Sequence, residues 1–262
     1  MKRYVRIYIQ LLRLNLANLL TYRVNFVNHV IASIGWGAMS LYTVILLTAR
    51  VTDAYGWRRE ELLLFNGVYG IVIGFFHMFI SINMNRLSRV IHMGELDGIL
   101  AKPIDSQFAV SLWWVNFSTV IRILMATAYT IWIIHNLHIA PTVSQLLLFA
   151  IFAVMALILL YSLWFLILTN LMWYSNMTNL VLFMYSFESV ARFPKEMLAQ
   201  LASYLFTIVL PLALVINTPT RALLARLSLT DAMLLLVLSL GFWIAARTYW
   251  RFALRHYTSA SS

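Results

Sequence analysis

Residues 145–169 read QLLLFAIFAVMALILLYSLWFLILT, twenty-five residues without a single charged side chain. A helix needs roughly 20 mostly apolar residues to cross the hydrocarbon core of a bilayer, so this stretch predicts a membrane span. Working outward from it, the same character returns at 26–48, 62–82 and 108–134, at 171 to about 190, and at 231 to about 246. One further apolar stretch, 201–217, is interrupted by Pro211 and followed by Pro219.

The composition agrees. Hydrophobic residues make up 62% of the chain and charged residues 11%, against about 45–50% and about 25% in an ordinary soluble domain. Only lipid, or the faces of neighbouring helices, can absorb so much apolar surface. Aromatic residues at 15% suit a protein with two membrane interfaces to anchor. The formal charge is +10, but the basic residues sit at the ends of apolar runs. That placement points to topology and contact with anionic membrane lipids, not to nucleic acid. The absence of cysteine excludes disulfides, thiolate metal sites and cysteine nucleophiles.

Residues 1–25 are not expected to be a cleavable signal peptide, because Arg3, Arg6 and Arg13 interrupt the region that would have to be continuously apolar. At 100° per residue Arg3, Arg6, Gln10 and Arg13 share one helical face and Tyr4, Tyr8, Leu11, Leu12 and Leu19 the other. This predicts an amphipathic helix lying along the membrane surface. The fold expected is therefore all-α and polytopic, a single domain over 1–262.

Parity favours six spans over seven, the number reached if 201–217 crosses fully. Basic residues collect at the amino end, after the second span (Arg86, Arg89, Lys102) and at the carboxyl end (Arg247, Arg251, Arg255). These can all face the cytoplasm only with an even number of crossings. Six transmembrane helices are expected, with both termini cytoplasmic. The stretch 201–217 then becomes a re-entrant element within an outer region, 192–230.

Several chemistries find no support. None of the three lysines, Lys2, Lys102 and Lys195, closes a Gly-rich phosphate loop. No zinc-protease or nucleophile-elbow pattern occurs. His135 and His138 have no carboxylate nearby and read as interfacial polar residues, so no metal site is expected.

The polar segment between the second and third spans, 83–107, is the most informative. The second span is expected to continue into the cytosol, break at Gly94, and resume as a short turn carrying Glu95, Leu96, Asp97, Ile99 and Leu100 before Pro103. Such a turn would present apolar knobs and acidic groups to a partner groove. On the second span Gly67, Gly70 and Gly74 have the spacing of a close helix contact. Two ionisable residues lie deep in apolar runs, Arg122 in the third span and Glu188 in the fifth, at similar depths. They are expected to face the bundle interior and pair, because exposing either to lipid is costly. Asn116, Ser118, Asn176 and Asn179 are weaker candidates for lining a pathway.

The run Gly94-Glu95-Leu96-Asp97-Gly98-Ile99-Leu100-Ala101-Lys102-Pro103 resembles the Gly-x-Leu-Asp-x-x-Leu-x-x-Pro stretch after the second span of ABC-2 type transporter permeases. The likeness extends to the bacterial ABC-2 proteins of similar length in the basic amphipathic start, the six spans and the late Pro-bearing stretch. The resemblance implies a non-catalytic permease of an ATP-driven exporter in the bacterial inner membrane. It implies pairing with a second permease chain, same or related, and with separate ABC ATPase subunits that bind ATP and Mg. Coupling to those subunits would fall on Gly94, Glu95, Leu96, Asp97, Leu100, Lys102 and Pro103. The aromatic, uncharged spans favour an amphipathic, lipid-like or drug-like cargo. The alternative is an ion-coupled secondary transporter or channel, which would need intramembrane carboxylates.

Overall fold

The computed structural model describes residues 2–21, 23–48, 53–174, 179–201 and 206–257, and these are almost all helical. An amphipathic helix, α1 (Lys2–Thr21), is followed by α2 (Arg23–Thr48). A two-residue hairpin, β1 (Asp53–Ala54) and β2 (Trp57–Arg58), reverses the chain. Its tip residues Tyr55 and Gly56 both have positive φ, 54° and 81°, as a tight antiparallel turn with a right-handed strand twist requires. Next come α3 (Arg59–Phe76), a π-helical turn at His77–Ser81, and α4 (Ile82–His92). Together they form one apolar helix of 34 residues, Arg59–His92. The remaining helices are α5 (Leu96–Leu100), α6 (Ser106–Ser111), α7 (Thr119–Asn136), α8 (Val143–Thr169), α9 (Leu180–Ser189), α10 (Lys195–Leu201), α11 (Phe206–Leu223) and α12 (Leu229–Arg255).

Four helical stretches among the described residues are long and apolar enough to cross a membrane: Phe26–Leu46, Arg59–His92, Val143–Met172 and Leu229–Arg255. These correspond to the first, second, fourth and last spans expected from sequence. The other two differ. The third, 108–134, is not one helix: its chain leaves helical geometry between α6 and α7 and resumes only at Thr119. Of the fifth, 171 to about 190, residues 175–178 lie outside the described residues, and the part after them forms α9, whose 10 residues reach about 15 Å at 1.5 Å per residue. Of the late Pro-bearing stretch, residues 202–205 lie outside the described residues, and 206–217 fall within α11, which holds Pro211 and Pro219 inside it. Each proline lacks the N–H that would close a helical hydrogen bond, so α11 depends on its neighbours for stability. Its segment Leu212 to Thr218 is completely enclosed by the chain or nearly so.

The core lies where α3, α4, α8, α11 and α12 meet. Phe76 packs on Trp164 at 5.3 Å between ring centroids, and Phe165 on Trp250 at 5.0 Å. Away from this seam the helices are apolar outward as well: Val27, Ile31, Trp36, Met39, Leu147, Ile151 and Val154 are all exposed. Helices apolar on every side need lipid as their outer solvent.

The glycine row read from sequence is the α3–α7 contact. A Cβ added at Gly67 would fall 2.3 Å from Thr130 Oγ1, at Gly70 2.8 Å from Ala126 Cβ, and at Gly74 2.6 Å from Ile123 Cγ1. The two backbones thus approach as closely as only small residues allow. We predict that Gly70→Ala, which meets an inflexible Cβ, costs about 1–3 kcal/mol in a detergent unfolding titration. Gly35→Ala, with nothing within 4 Å, does not destabilise the protein and gains up to about 1 kcal/mol from helix propensity.

Candidate functional site

α4 ends in a reversal built around Gly94. With φ at 69°, Gly94 sits in the left-handed region that a helix C-terminus favours for glycine. The Glu95 N–H donates to the Val90 carbonyl at 2.9 Å and the Gly94 N–H to the Ile91 carbonyl at 3.2 Å, the paired bonds that satisfy a helix end. The chain then turns into α5. The sequence reading made Leu96 a knob offered outward, and the structure corrects it: Leu96 is 0% exposed and lies in the same core as Leu87, Val90 and Ile91. A five-residue helix has one apolar face, and that face turns inward, drawing Ile99 and Leu100 half under cover as well. What α5 and its flanks present outward is Met93 (64% exposed), Glu95, Gly98, Ala101, Lys102 and Pro103, with Asp97 half-buried.

Immediately after this cap the chain enters a polar hub. Asp105 opens α6 by accepting from the Phe108 N–H at 3.0 Å, the usual role of an aspartate N-cap. Arg247 on α12 forms a two-pronged ion pair with the Asp105 carboxylate and also donates to Gln107 Oε1 at 2.9 Å. Gln107 Nε2 donates to Tyr161 Oη on α8 at 2.9 Å, and Trp250 Nε1 on α12 donates to Ser106 Oγ at 3.1 Å. α1 joins from the other side. Arg3 donates to the Pro103 carbonyl at 2.9 Å, Tyr4 Oη accepts from the Asp105 N–H at 3.2 Å, and the Tyr4 ring packs edge-on to Phe108. Residues 103–111 therefore tie the exposed cap to α1, α8 and α12.

The break between α6 and α7 is held in part by two residues, Asn83 and Asn15, that the sequence does not mark as functional. Asn83, 0% exposed, donates from Nδ2 to the Trp114 and Phe79 carbonyls, both at 2.8 Å, and accepts from the Trp114 N–H at 2.9 Å. Asn15 donates to the Trp113 carbonyl at 3.0 Å, and the Asn116 N–H donates to the Met78 carbonyl at 2.9 Å. Asn116 and Ser118, expected on a continuous span, instead shape this junction: the Ser118 hydroxyl bonds Asn116 Oδ1 and the Thr119 hydroxyl the Asn116 carbonyl. The available signal was an asparagine flanked by two methionine-bearing helical turns, which looks like any polar linker residue.

Deeper in the bundle, the expected ion pair of Arg122 with Glu188 does not form. Glu188 Oε1 lies 3.1 Å from His77 Nε2, and His77 Nδ1 lies 3.0 Å from Ser81 Oγ. The His77 ring stacks parallel to Tyr185 at 5.7 Å. This chain of contacts is centred on the π-helical turn, a geometry frequent at functional sites. Glu188 is 3% exposed and its Oε2 has no hydrogen-bond partner. Arg122 instead leans toward α2, its Cγ near Gly37, with Nε and Nη2 buried and unbonded. Asn179 is exposed at the start of α9, and Asn176 lies outside the described residues.

A second polar belt closes the opposite end of α12. Lys195 pairs with Asp231, Arg221 with Glu196 at 2.7 Å, and Arg226 with Glu61 at 2.8 Å, while Trp57 Nε1 donates to Glu196 at 2.8 Å. Asp231 and Arg247 stand about 24 Å apart along the helix, so the two networks cap opposite ends of the bundle.

Residues 34–261, which include the cap, the hub and the π-helical turn, match the profile of one protein family, described as ABC-2 family transporter protein. Comparison with curated proteins and with solved structures returns no match.

The Arg247 guanidinium, by its hydrogen bonds, holds the Asp105 carboxyl below the usual carboxylate range. A depressed folded-state value contributes stability that is present above the unfolded value of about 3.9 and is lost as pH falls through the folded one. We predict that Asp105→Asn lowers the melting temperature in detergent at pH 7, and that the gap to wild type closes as the pH is taken below about 4. A gap that is constant with pH would show that the carboxylate charge carries nothing.

Proposed function

The chain belongs to the ABC-2 transporter family, and from that premise we propose that it is the transmembrane permease subunit of an ATP-driven exporter, with no catalysis of its own. ATP and Mg are bound and consumed by separate ABC ATPase subunits, and a second permease chain, identical or related, completes the pathway. The observation that carries this reading is the exposed cap, residues 93–103, mounted on the end of a 34-residue helix and bolted to α1, α8 and α12 through the hub. A partner that engages the cap can tilt those helices together, because closure of an ATPase pair is transmitted by rigid elements.

The same contacts support a reading of sidedness. Arg3 with Pro103 and Arg247 with Asp105 gather the amino helix, the cap and the end of α12 at one end of the bundle. Those segments are rich in basic residues, which supports reading that end as cytoplasmic, and membership of the family supports reading the membrane as a bacterial inner membrane. Apolar, aromatic-rich helices favour an amphipathic, lipid-like or drug-like substrate moving outward. A second reading, ion-coupled transport, is favoured by one observation: the buried Glu188 carboxylate meets a half-buried histidine, His77, on a long apolar helix.

We predict that purification from native membranes in mild detergent recovers a soluble ATPase with the wild-type chain. The charge reversal E95K/K102E, which leaves the buried Leu96 untouched, loses that ATPase while the chain elutes at its normal size. Recovery of no ATPase with wild type, together with substrate uptake by the isolated chain in liposomes under an ion gradient, would favour the second reading.

A further inference from the structure

We infer that the crevice between α4, α5 and α6 is a binding site for the headgroup phosphate of an anionic glycerophospholipid. Arg86 and Lys102 stand at its mouth, Trp113 forms one wall, and Val90, Ile99 and Val110 are among the apolar residues of its floor. Both cations are poised over aromatic faces. Lys102 Nζ lies 4.2 Å from the centre of the Trp113 ring, and the Arg86 guanidinium 5.3 Å from Trp114 and 5.9 Å from Trp113.

Two features of this crevice call for an anion. First, among the described residues neither Arg86 nor Lys102 forms an ion pair or a side-chain hydrogen bond, whereas the cations of the hub and of the opposite belt, Arg247, Lys195, Arg221 and Arg226, are all paired with carboxylates. Among the described residues the acidic group acting on Arg86 is Glu95, which is exposed and not bonded to it, while Arg89 adds a further positive charge beside Arg86. Second, the site combines positive charge with an apolar floor and tryptophan walls. A soluble anion such as phosphate uses only the charge; a phospholipid uses all three, with the phosphate between Arg86 and Lys102 and the glycerol and first methylenes of a chain against the half-buried Trp113 and Ile99. Basic pockets between membrane helices on the cytoplasmic side are suited to such headgroups. The location fits. α1, with Arg3, Arg6 and Arg13 on one face, lies alongside through its Asn15 bond to the Trp113 carbonyl, so the crevice opens where an interfacial helix meets the headgroups.

Because Lys102 also belongs to the exposed cap, a lipid seated here stabilises the same element that the ATPase is proposed to engage. The lipid site does not depend on that proposal, and its test uses no ATPase. The full-length chain is purified in detergent and titrated with dioleoylphosphatidylglycerol or dioleoylphosphatidylcholine, with bound lipid counted by native mass spectrometry. Wild type is expected to retain phosphatidylglycerol in preference to phosphatidylcholine. R86Q/K102Q should hold it about 30-fold more weakly, as the loss of two near-surface charges implies. R251Q/R255Q, which removes two exposed charges from α12, should bind as wild type does. Equal retention of the two lipids by wild type would overturn the inference whatever the variants do, and so would undiminished binding by a folded R86Q/K102Q. Displacement of phosphatidylglycerol by millimolar inorganic phosphate would assign the crevice to a soluble anion and also overturn it.

Discussion

The fold depends on one side-chain amide. Asn83 bonds both the N–H and the carbonyl of Trp114 and is wholly sealed from solvent. A backbone that leaves helical geometry inside an apolar bundle exposes donors and acceptors that lipid cannot satisfy, each at a cost of several kcal/mol. An asparagine is the side chain suited to this place, because its carbonyl and NH2 groups meet a peptide unit's donor and acceptor together. With that clamp in place, and with the Asn15 and Asn116 bonds beside it, the chain can stop α6, cross a short irregular stretch and start α7 in a new direction.

The consequence is mechanical. Had 108–134 been one continuous helix, the segment after the cap would have run straight into the bilayer, out of reach of most neighbours. Because it breaks, α6 stays short and its first turn can meet Arg247, Trp250, Tyr161 and Tyr4 at once. The exposed cap is thereby joined to three other helices rather than hung on a flexible linker. The π-helical turn sits on the same helix as Asn83, and its Met78 carbonyl receives the Asn116 N–H. The polar cluster at His77 and Glu188 and the junction therefore share a stretch of backbone.

The parts of this architecture legible in the sequence were those written in local pattern. Residues 145–169 and 231–246 are long apolar runs, and α8 and α12 contain them; Gly67, Gly70 and Gly74 are spaced by the helical period, and they are the α3–α7 contact. What was not legible was set by distant partners. Hydropathy averages over Ser111, Leu112, Trp113, Trp114, Val115 and Asn116 and reports an apolar span, while the break there is stabilised by an asparagine some thirty residues away. Leu96 was assigned to the surface because a five-residue turn does not disclose which of its faces meets the core. The depth of Glu188 in an apolar run marks it as enclosed, but the group it bonds is His77, which local pattern does not single out, and no ion pair joins it to Arg122 among the described residues.

The most direct test of this account is hydrogen–deuterium exchange of the full chain in detergent, comparing wild type with Asn83→Ala at residues 112–118 and at α8. If the amide clamp holds the junction, the variant loses protection across 112–118 and along α6 while the buried seam of α8 exchanges as before. Unchanged protection at 112–118 in the variant would contradict the account, because the irregular backbone would then be stable without the side chain assigned to hold it.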